Sequence, residues 1–212
     1  MHPRSHSPFL TVVLFLLVAG CAPRVRPLVG APAPSTIPEA RLVGHTRLVF
    51  RWEYADGTIV GRGEGVARLA APDSLRLDFF LDGGAGGGTA FLIGDSISAP
   101  GGDLVRRLLP SPVLLWAAVG RLAVPPATDT TARLDGAVLR ADIGSEPRFR
   151  VTFGEGRLTR LERIEGGRLQ EWVSRPDTAT IEYRNEGTGR QLSLRINRRE
   201  TVNSFDDDVW DR

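Results

Sequence analysis

Cysteine and histidine, the side chains most often used for nucleophilic catalysis and metal binding, are scarce in this 212-residue sequence. The single cysteine is Cys21, and two of the three histidines, His2 and His6, precede it. Cleavage at Cys21 would leave only His45, whereas zinc sites need three or four ligands and a serine or cysteine nucleophile needs a positioned base. The chain also has no lysine for Schiff-base chemistry. We therefore predict no metal site and no catalytic residue among these side chains, which removes most common hydrolase and metalloenzyme arrangements.

Carboxylates alone could still support a glycosidase, which needs no histidine. The acidic residues on predicted strands are Glu64, Asp78, Glu162 and Glu171. Each alternates with arginine, so we interpret them as part of a solvated face. The Asp206–Asp208 run lacks the ligand spacing and final glutamate of an EF-hand loop, and residues 207–212 are predicted to be an acidic tail.

The N-terminal segment has the pattern of an export signal. A mildly cationic start is followed by the apolar run Phe9–Val18, which has secretory length and is too short to span a bilayer. Ala19, Gly20 and Cys21 then resemble a bacterial lipobox, in which the cysteine thiol receives a diacylglyceryl group and cleavage follows. The resemblance implies a signal peptide over residues 1–20 and lipidation, palmitate included, at Cys21. The alternative is an ordinary signal peptide followed by a chance cysteine.

Two or three acyl chains on Cys21 would hold the protein stably on a membrane. Ala22 follows in place of aspartate, which resembles the sorting pattern for the outer membrane facing the periplasm. Residues 21–40 are rich in proline, alanine and glycine, so we predict a lipidated cysteine followed by a stiff, extended tether. The folded domain is predicted to begin at residue 41 and to stand off the membrane by the length of that tether.

The remainder of the chain has the two-residue period of β-strands, interrupted once. Residues 47–54 alternate apolar and mostly polar side chains, and Asp56-Gly57 provides a hairpin turn. Residues 102–121 have helical spacing, with Pro110 and Pro112 separating two short helices. Regularly spaced glycine turns after Pro126 predict an antiparallel meander. The fold class is therefore mainly β, an antiparallel half-barrel with a short helical lid inserted mid-chain.

The order of these elements resembles the LolA/LolB-like lipoprotein-carrier superfamily, most closely its anchored LolB-type members. The resemblance rests on the lipobox, the Pro-rich segment, the Leu115-Trp116-x-x-x-Gly120 stretch and the closing strand that ends near Val202. It covers most of residues 41–206. It implies a hydrophobic cavity that binds acyl chains of lipoproteins or lipids and assists their delivery to the outer membrane. The resemblance also implies no cofactor and no covalent chemistry, so that the protein would not be an enzyme. A periplasmic carrier protein is then a further candidate partner.

The candidate cavity lining combines the apolar strand face with the lid. It comprises Phe50, Trp52, Leu77, Phe79, Leu92, Leu115, Trp116, Val151 and Phe153. LolB-type proteins carry an exposed leucine in the loop between the third and fourth strands, and the matching membrane or cargo loop here contains Gly83, Gly84, Ala85 and Gly86. Because the loop lacks this leucine, the protein could instead bind a different lipid or have another function in the cell envelope.

One further interpretation remains at this stage. The helices could fill the concave face of the sheet completely, giving a structural or assembly lipoprotein that binds protein partners through a sheet edge.

The charge of the chain does not predict nucleic-acid binding. The net charge is +2, with 27 basic and 25 acidic residues distributed along the chain, and the sequence shows no clustered basic face.

Overall fold

The computed structural model describes residues 22–84, 86–100 and 103–211. The signal peptide predicted over residues 1–20, the lipidation site Cys21 and loop residue Ala85 lie outside these ranges. Among the described residues, no helix is long and apolar enough to cross a membrane.

A single antiparallel sheet of thirteen strands forms the body of the molecule. Its first half contains β1 (Ala31–Ala33), β2 (His45–Ala55), β3 (Val60–Ala70), β4 (Ser74–Leu81), β5 (Gly87–Ile93) and β6 (Ser96–Ser98). The second half contains β7 (Thr130–Asp135), β8 (Val138–Ile143), β9 (Arg148–Gly154), β10 (Arg157–Glu165), β11 (Arg168–Ser174), β12 (Thr180–Asn185) and β13 (Gln191–Val202). Between the halves lie α1 (Asp103–Leu108) and α2 (Pro112–Ala118), which together we call the helical segment.

The strand order shows how the two halves join. The sequence of neighbours is β1-β7-β8-β9-β10-β11-β12-β13-β2-β3-β4-β5-β6, so two meanders meet where β13 pairs with β2. Strands β1 and β6 are the edges, and the sheet does not close into a barrel. The predicted mainly β, half-barrel architecture with a mid-chain helical segment is confirmed.

Alternation along β2 explains which face is covered. Leu48, Phe50, Trp52 and Tyr54 are all buried, whereas Arg51 and Glu53 between them are exposed. The helical segment covers this apolar face, with α1 against β5 and α2 against β10, β11 and β12. Burying the apolar side chains of both sheet and helices provides the main stabilisation of the fold.

The segment predicted to be a free tether is attached to the sheet, so that prediction is wrong in part. Strand β1 pairs with β7 from Ala31 to Ala33. Further upstream, Leu169 donates a backbone hydrogen bond to the Pro23 carbonyl at 3.0 Å, and Val25 donates to Gly167 at 3.1 Å. Proline is tolerated at an edge strand because no neighbour there needs its N–H, which explains how a Pro-rich stretch joins the sheet.

Candidate functional site

A small apolar gap remains between the helical segment and the sheet. Its volume is about 30 Å³, and it is lined without any polar side chain. The sheet side is formed by Leu48, Phe50, Ala67, Leu77, Phe79, Ile181, Leu192, Leu194 and Ile196, and the helical side by Leu108, Leu109, Pro110, Leu115, Ala118 and Val119. We call this space the apolar gap. A cavity lined only by apolar side chains stays dry.

The gap reaches the surface between the end of α2 and strand β13. Most of its lining is fully buried, but Val119, Leu194 and Ile196 are only half-buried. We call these three aliphatic side chains the mouth of the gap, because they are the part of its lining that solvent reaches.

The nine predicted lining residues are all buried, but they do not all reach the gap. Phe50, Leu77, Phe79 and Leu115 line it. The remaining five, Trp52, Leu92, Trp116, Val151 and Phe153, pack elsewhere in the same core. Alternation identified the covered face correctly, but it could not show which part of that face the helices leave unfilled.

Two glycines of β3 allow close contacts that a side chain would block, one with an aromatic ring and one with the backbone of β4. A Cβ on Gly65 would stand 2.4 Å from the Phe50 ring, and one on Gly63 would stand 1.8 Å from the Phe80 carbonyl oxygen. Glycine at alternate positions 61, 63 and 65 predicts a strand that can bend or that another group can approach closely, and the contacts at Gly63 and Gly65 are of this second kind. The rings of Phe50 and Phe79 meet edge-on at 5.8 Å, and this pair forms part of the wall of the gap.

Few polar contacts hold the helical segment to the sheet. Trp116 on α2 donates its indole N–H to the Gly94 carbonyl at 2.6 Å. Arg190, between β12 and β13, donates to the Arg107 carbonyl of α1 at 3.3 Å and to the Tyr183 hydroxyl at 3.3 Å. The Arg107 guanidinium also lies 3.9 Å from Asp56. Sequence reasoning missed Arg190 because nothing in a turn arginine indicates which helix it will reach.

The Asp56 carboxylate is the centre of this polar contact region. Hydrogen bonds from the backbone N–H of Ile59 and from Thr58 lower its pKa, and the Tyr54 hydroxyl donates to it at 3.0 Å. Burial and this hydrogen bond raise the pKa of Tyr54 to about 12. The region therefore carries a carboxylate and a neutral phenol at neutral pH.

The carboxylates considered for a glycosidase are occupied in arginine pairs. Glu64 pairs with Arg51, Glu162 with Arg160, and Glu171 with Arg163. Asp78 contacts both Arg68 and Arg76. Asp78 and Glu171 are buried, so interpreting those two as solvated was wrong. Within the described ranges, no group of three or more histidine, cysteine or acidic side chains could hold a metal.

The glycine loop after β4 is exposed. Gly83, Gly84 and Gly86 have positive φ angles of 83°, 72° and 116°, and nothing lies within 4 Å of a Cβ placed on any of them. Phe80, immediately before this loop, is 53% exposed and was not singled out from the sequence. Adjacent residues of a strand point to opposite faces of the sheet. Because Phe79 points to the covered face, the alternation could have identified Phe80 as an exposed aromatic residue.

Comparison with known proteins identifies the fold. No protein-family profile matches the sequence, and no curated protein matches it. A crystal structure of a LolA superfamily protein from Nitrosomonas europaea matches with a TM-score of 0.53 at 9% identity, covering 80% of this chain and 90% of that one. A putative outer membrane lipoprotein-sorting protein domain from Vibrio parahaemolyticus matches with a TM-score of 0.48 at 8% identity, covering 79% of this chain and 89% of that one.

The match to the Nitrosomonas europaea structure, together with the open antiparallel sheet, defines the class of fold as a LolA-like open half-barrel. The resemblance to the LolA superfamily drawn from the sequence is thus confirmed at the level of the fold.

Proposed function

We propose that this protein is a bacterial envelope lipoprotein that binds acyl chains of lipids or lipoproteins between its helical segment and its sheet, and assists their delivery to the outer membrane. One observation carries the proposal. The apolar gap lies between two separate layers and opens through a mouth of half-buried aliphatic side chains. The LolA-like fold supports a binding protein of this kind, and the proposed role requires no covalent chemistry.

The size of the gap sets a condition on this function. Pockets for small ligands measure roughly 300–1,000 Å³, about ten to thirty times the volume of about 30 Å³ seen here. An acyl chain therefore enters only if the helical segment moves away from the sheet. Burying a chain of about 16 carbons is worth roughly 13 kcal/mol, enough to offset the loss of several helix–sheet contacts.

The proposed location of the protein in the cell follows from its N-terminal sequence. The lipobox-like sequence supports lipidation of Cys21, retention at the outer membrane and exposure of the domain to the periplasm. Acyl cargo would then arrive from a periplasmic carrier protein and leave into the same membrane.

A structural or assembly lipoprotein is the second candidate. The small volume of the gap favours it, because the helices already fill most of the sheet face. As a structural or assembly lipoprotein, the chain would bind no lipid in its core and would recognise protein partners on its outer surface.

A binding experiment separates the two functions. All thirteen strands lie within the described residues, so the chain from residue 22 onward is suited to titration with a fluorescent fatty acid and displacement by palmitate. We expect saturable binding, and lipid retained on the purified protein in native mass spectrometry. Absence of both would refute the acyl-binding function and leave the structural one.

Matched variants locate the binding. Leu194→Asn places an amide at the mouth and should weaken binding roughly tenfold, the effect of losing one apolar contact surface. Leu134→Asn makes the same change at an exposed position of β7 outside the gap and should have no effect. Ala118→Phe fills the gap and should also reduce binding. Equal affinities for all four proteins, with unchanged thermal stability, would exclude the apolar gap as the site.

A further inference from the structure

Four arginines contribute to the lining of an open pocket that shares Ile196 with the mouth of the apolar gap. The pocket has a volume of about 480 Å³, and its charged lining consists of Arg157, Arg175, Arg198 and Arg199. We call it the arginine pocket. Ile196 belongs both to this lining and to the lining of the apolar gap, so the two spaces adjoin at that side chain.

A β-bulge in β13 gives Arg199 its position. Ile196 lies opposite Phe50 of β2, but the register shifts at the next step, so that Arg198 faces Val49 and Arg199 faces Leu48. Phe50 and Leu48 are buried on the covered face. The extra residue therefore places Arg199 on the same side of the sheet as the apolar gap, where unbroken alternation would have placed Arg198.

Arg175 completes the connection between the pocket and the helical segment. Its guanidinium packs against Gly120, just after α2, where a Cβ would stand 2.4 Å from Nη1. Its one side-chain hydrogen bond is to the Leu158 carbonyl at 3.4 Å. Arg175 thus lies between the end of α2 and the start of β10, beside the half-buried Val119 of the mouth.

The charge of this pocket is only partly compensated. Glu200 pairs with Arg198, and Glu155 lies 3.7 Å from Arg157. Across the described part of the chain, no carboxylate lies within 4 Å of Arg175 or Arg199. Burial lowers the pKa of Arg175, and the charges of Arg199 and Arg157 lower it further. Bringing an anion into the pocket would relieve this mutual repulsion.

We infer that the ligand of this protein is an anionic amphiphile whose carboxylate or phosphate head binds to Arg175 and Arg199 while its acyl chain passes Ile196 into the apolar gap. The inference rests on the proposed acyl-binding function and adds a preference for charged heads. Arginine suits this role because its planar fork donates two hydrogen bonds to one carboxylate or phosphate. An acylated protein without an anionic head would be the poorer ligand.

Three ligands test the inference by calorimetric titration of the chain from residue 22 onward. They are dodecyl phosphate, dodecanol and inorganic phosphate. We expect dodecyl phosphate to bind at least about tenfold more tightly than dodecanol, which is the scale of a charge-assisted hydrogen bond. The variant Arg175→Gln/Arg199→Gln should lose this preference while still binding dodecanol. Arg195→Gln, on the opposite face of the same strand, removes one charge as a control and should leave the preference intact.

Each outcome has one meaning. If dodecanol and dodecyl phosphate bind equally, the head-group inference is overturned while acyl binding stands. If inorganic phosphate binds as tightly as dodecyl phosphate, the arginine pocket is an independent anion site and the inference also fails. If no chain-bearing ligand binds, the proposed function itself fails. Because Arg175 packs against Gly120, the single variant Arg199→Gln is measured as well, and it should show a reduced preference without loss of thermal stability.

Discussion

The ring of Phe50 occupies the space that a side chain on Gly65 would need, since a Cβ there would lie 2.4 Å from the ring. The two residues face each other across β2 and β3. The same Cβ would lie 2.8 Å from the Asp78 carbonyl oxygen on β4, so a glycine at position 65 is required by the Phe50 ring and the neighbouring strand, and not by a left-handed backbone conformation.

This relationship predicts the effect of adding one methyl group. Gly65→Ala should lower the free energy of unfolding by about 1–3 kcal/mol, because Phe50 must leave its position or the strands must separate. Gly61→Ala is the matched control: its Cβ would meet Trp52 at an ordinary 3.4 Å. Urea denaturation measures both. A Gly65→Ala protein as stable as Gly61→Ala would show that the Phe50 ring adapts freely.

The contact of Arg190 with α1 predicts a change in the rate of ligand entry. Arg190→Ala removes its hydrogen bonds to the Arg107 carbonyl and the Tyr183 hydroxyl, at a cost of about 1 kcal/mol. Stopped-flow mixing with a fluorescent fatty acid should then show faster association, and the amides of α1 should exchange hydrogen faster. Arg195→Ala on exposed β13 is the control. Unchanged association and exchange would mean that α1 is held by its apolar packing alone.

The raised pKa of Tyr54 predicts loss of stability in alkali. An unfolded tyrosine ionises near its ordinary pKa of 10.0, whereas the folded one ionises near pH 12. As pH rises, the unfolded chain therefore loses the Tyr54 proton before the folded protein does. The stability that the protonated Tyr54 contributes is complete below pH 10 and is lost between about pH 10 and about pH 12. Tyr54→Phe should make the fall of the urea midpoint over this range shallower. Burial likewise raises the pKa of Tyr183, so the urea midpoint of Tyr54→Phe should still fall with pH, but less steeply. A slope identical to that of the wild type would contradict the assignment to Tyr54.

Lipidation of Cys21 predicts membrane association in cells. Labelled palmitate should be incorporated into the full-length chain and the protein should sediment with outer membranes, whereas Cys21→Ser should abolish labelling and release the protein into the soluble fraction. Labelling that persists in Cys21→Ser would place the lipid elsewhere, and wild-type protein in the soluble fraction would contradict the anchor.

Alternation and turn chemistry predicted the larger part of the fold. The apolar positions of β2 and the glycine turns at Asp135-Gly136 and Glu155-Gly156 identify their strands because a half-buried antiparallel sheet imposes a two-residue period. Strand β1 could not be predicted, since three residues of edge strand containing Pro32 have no period of their own. The side-chain direction of Arg199 was equally inaccessible, because a bulge reverses the alternation without any mark in the sequence. The volume of the gap depends on how closely α2 approaches the sheet, and the alternation of apolar and polar residues does not predict that distance.

The backbone pairing of Pro23 with Leu169 changes the geometry that a lipid at Cys21 would impose. A free Pro-rich chain of about 20 residues could hold the domain roughly 60 Å above its anchor. With Pro23 hydrogen-bonded to Leu169 of β11, only Ala22 lies between Pro23 and the anchoring position, and these two residue steps span about 7 Å. The protein would then rest against the bilayer with the β10–β11 turn at headgroup level, so any exchange with a partner would take place beside the lipid surface and not across the width of the periplasm.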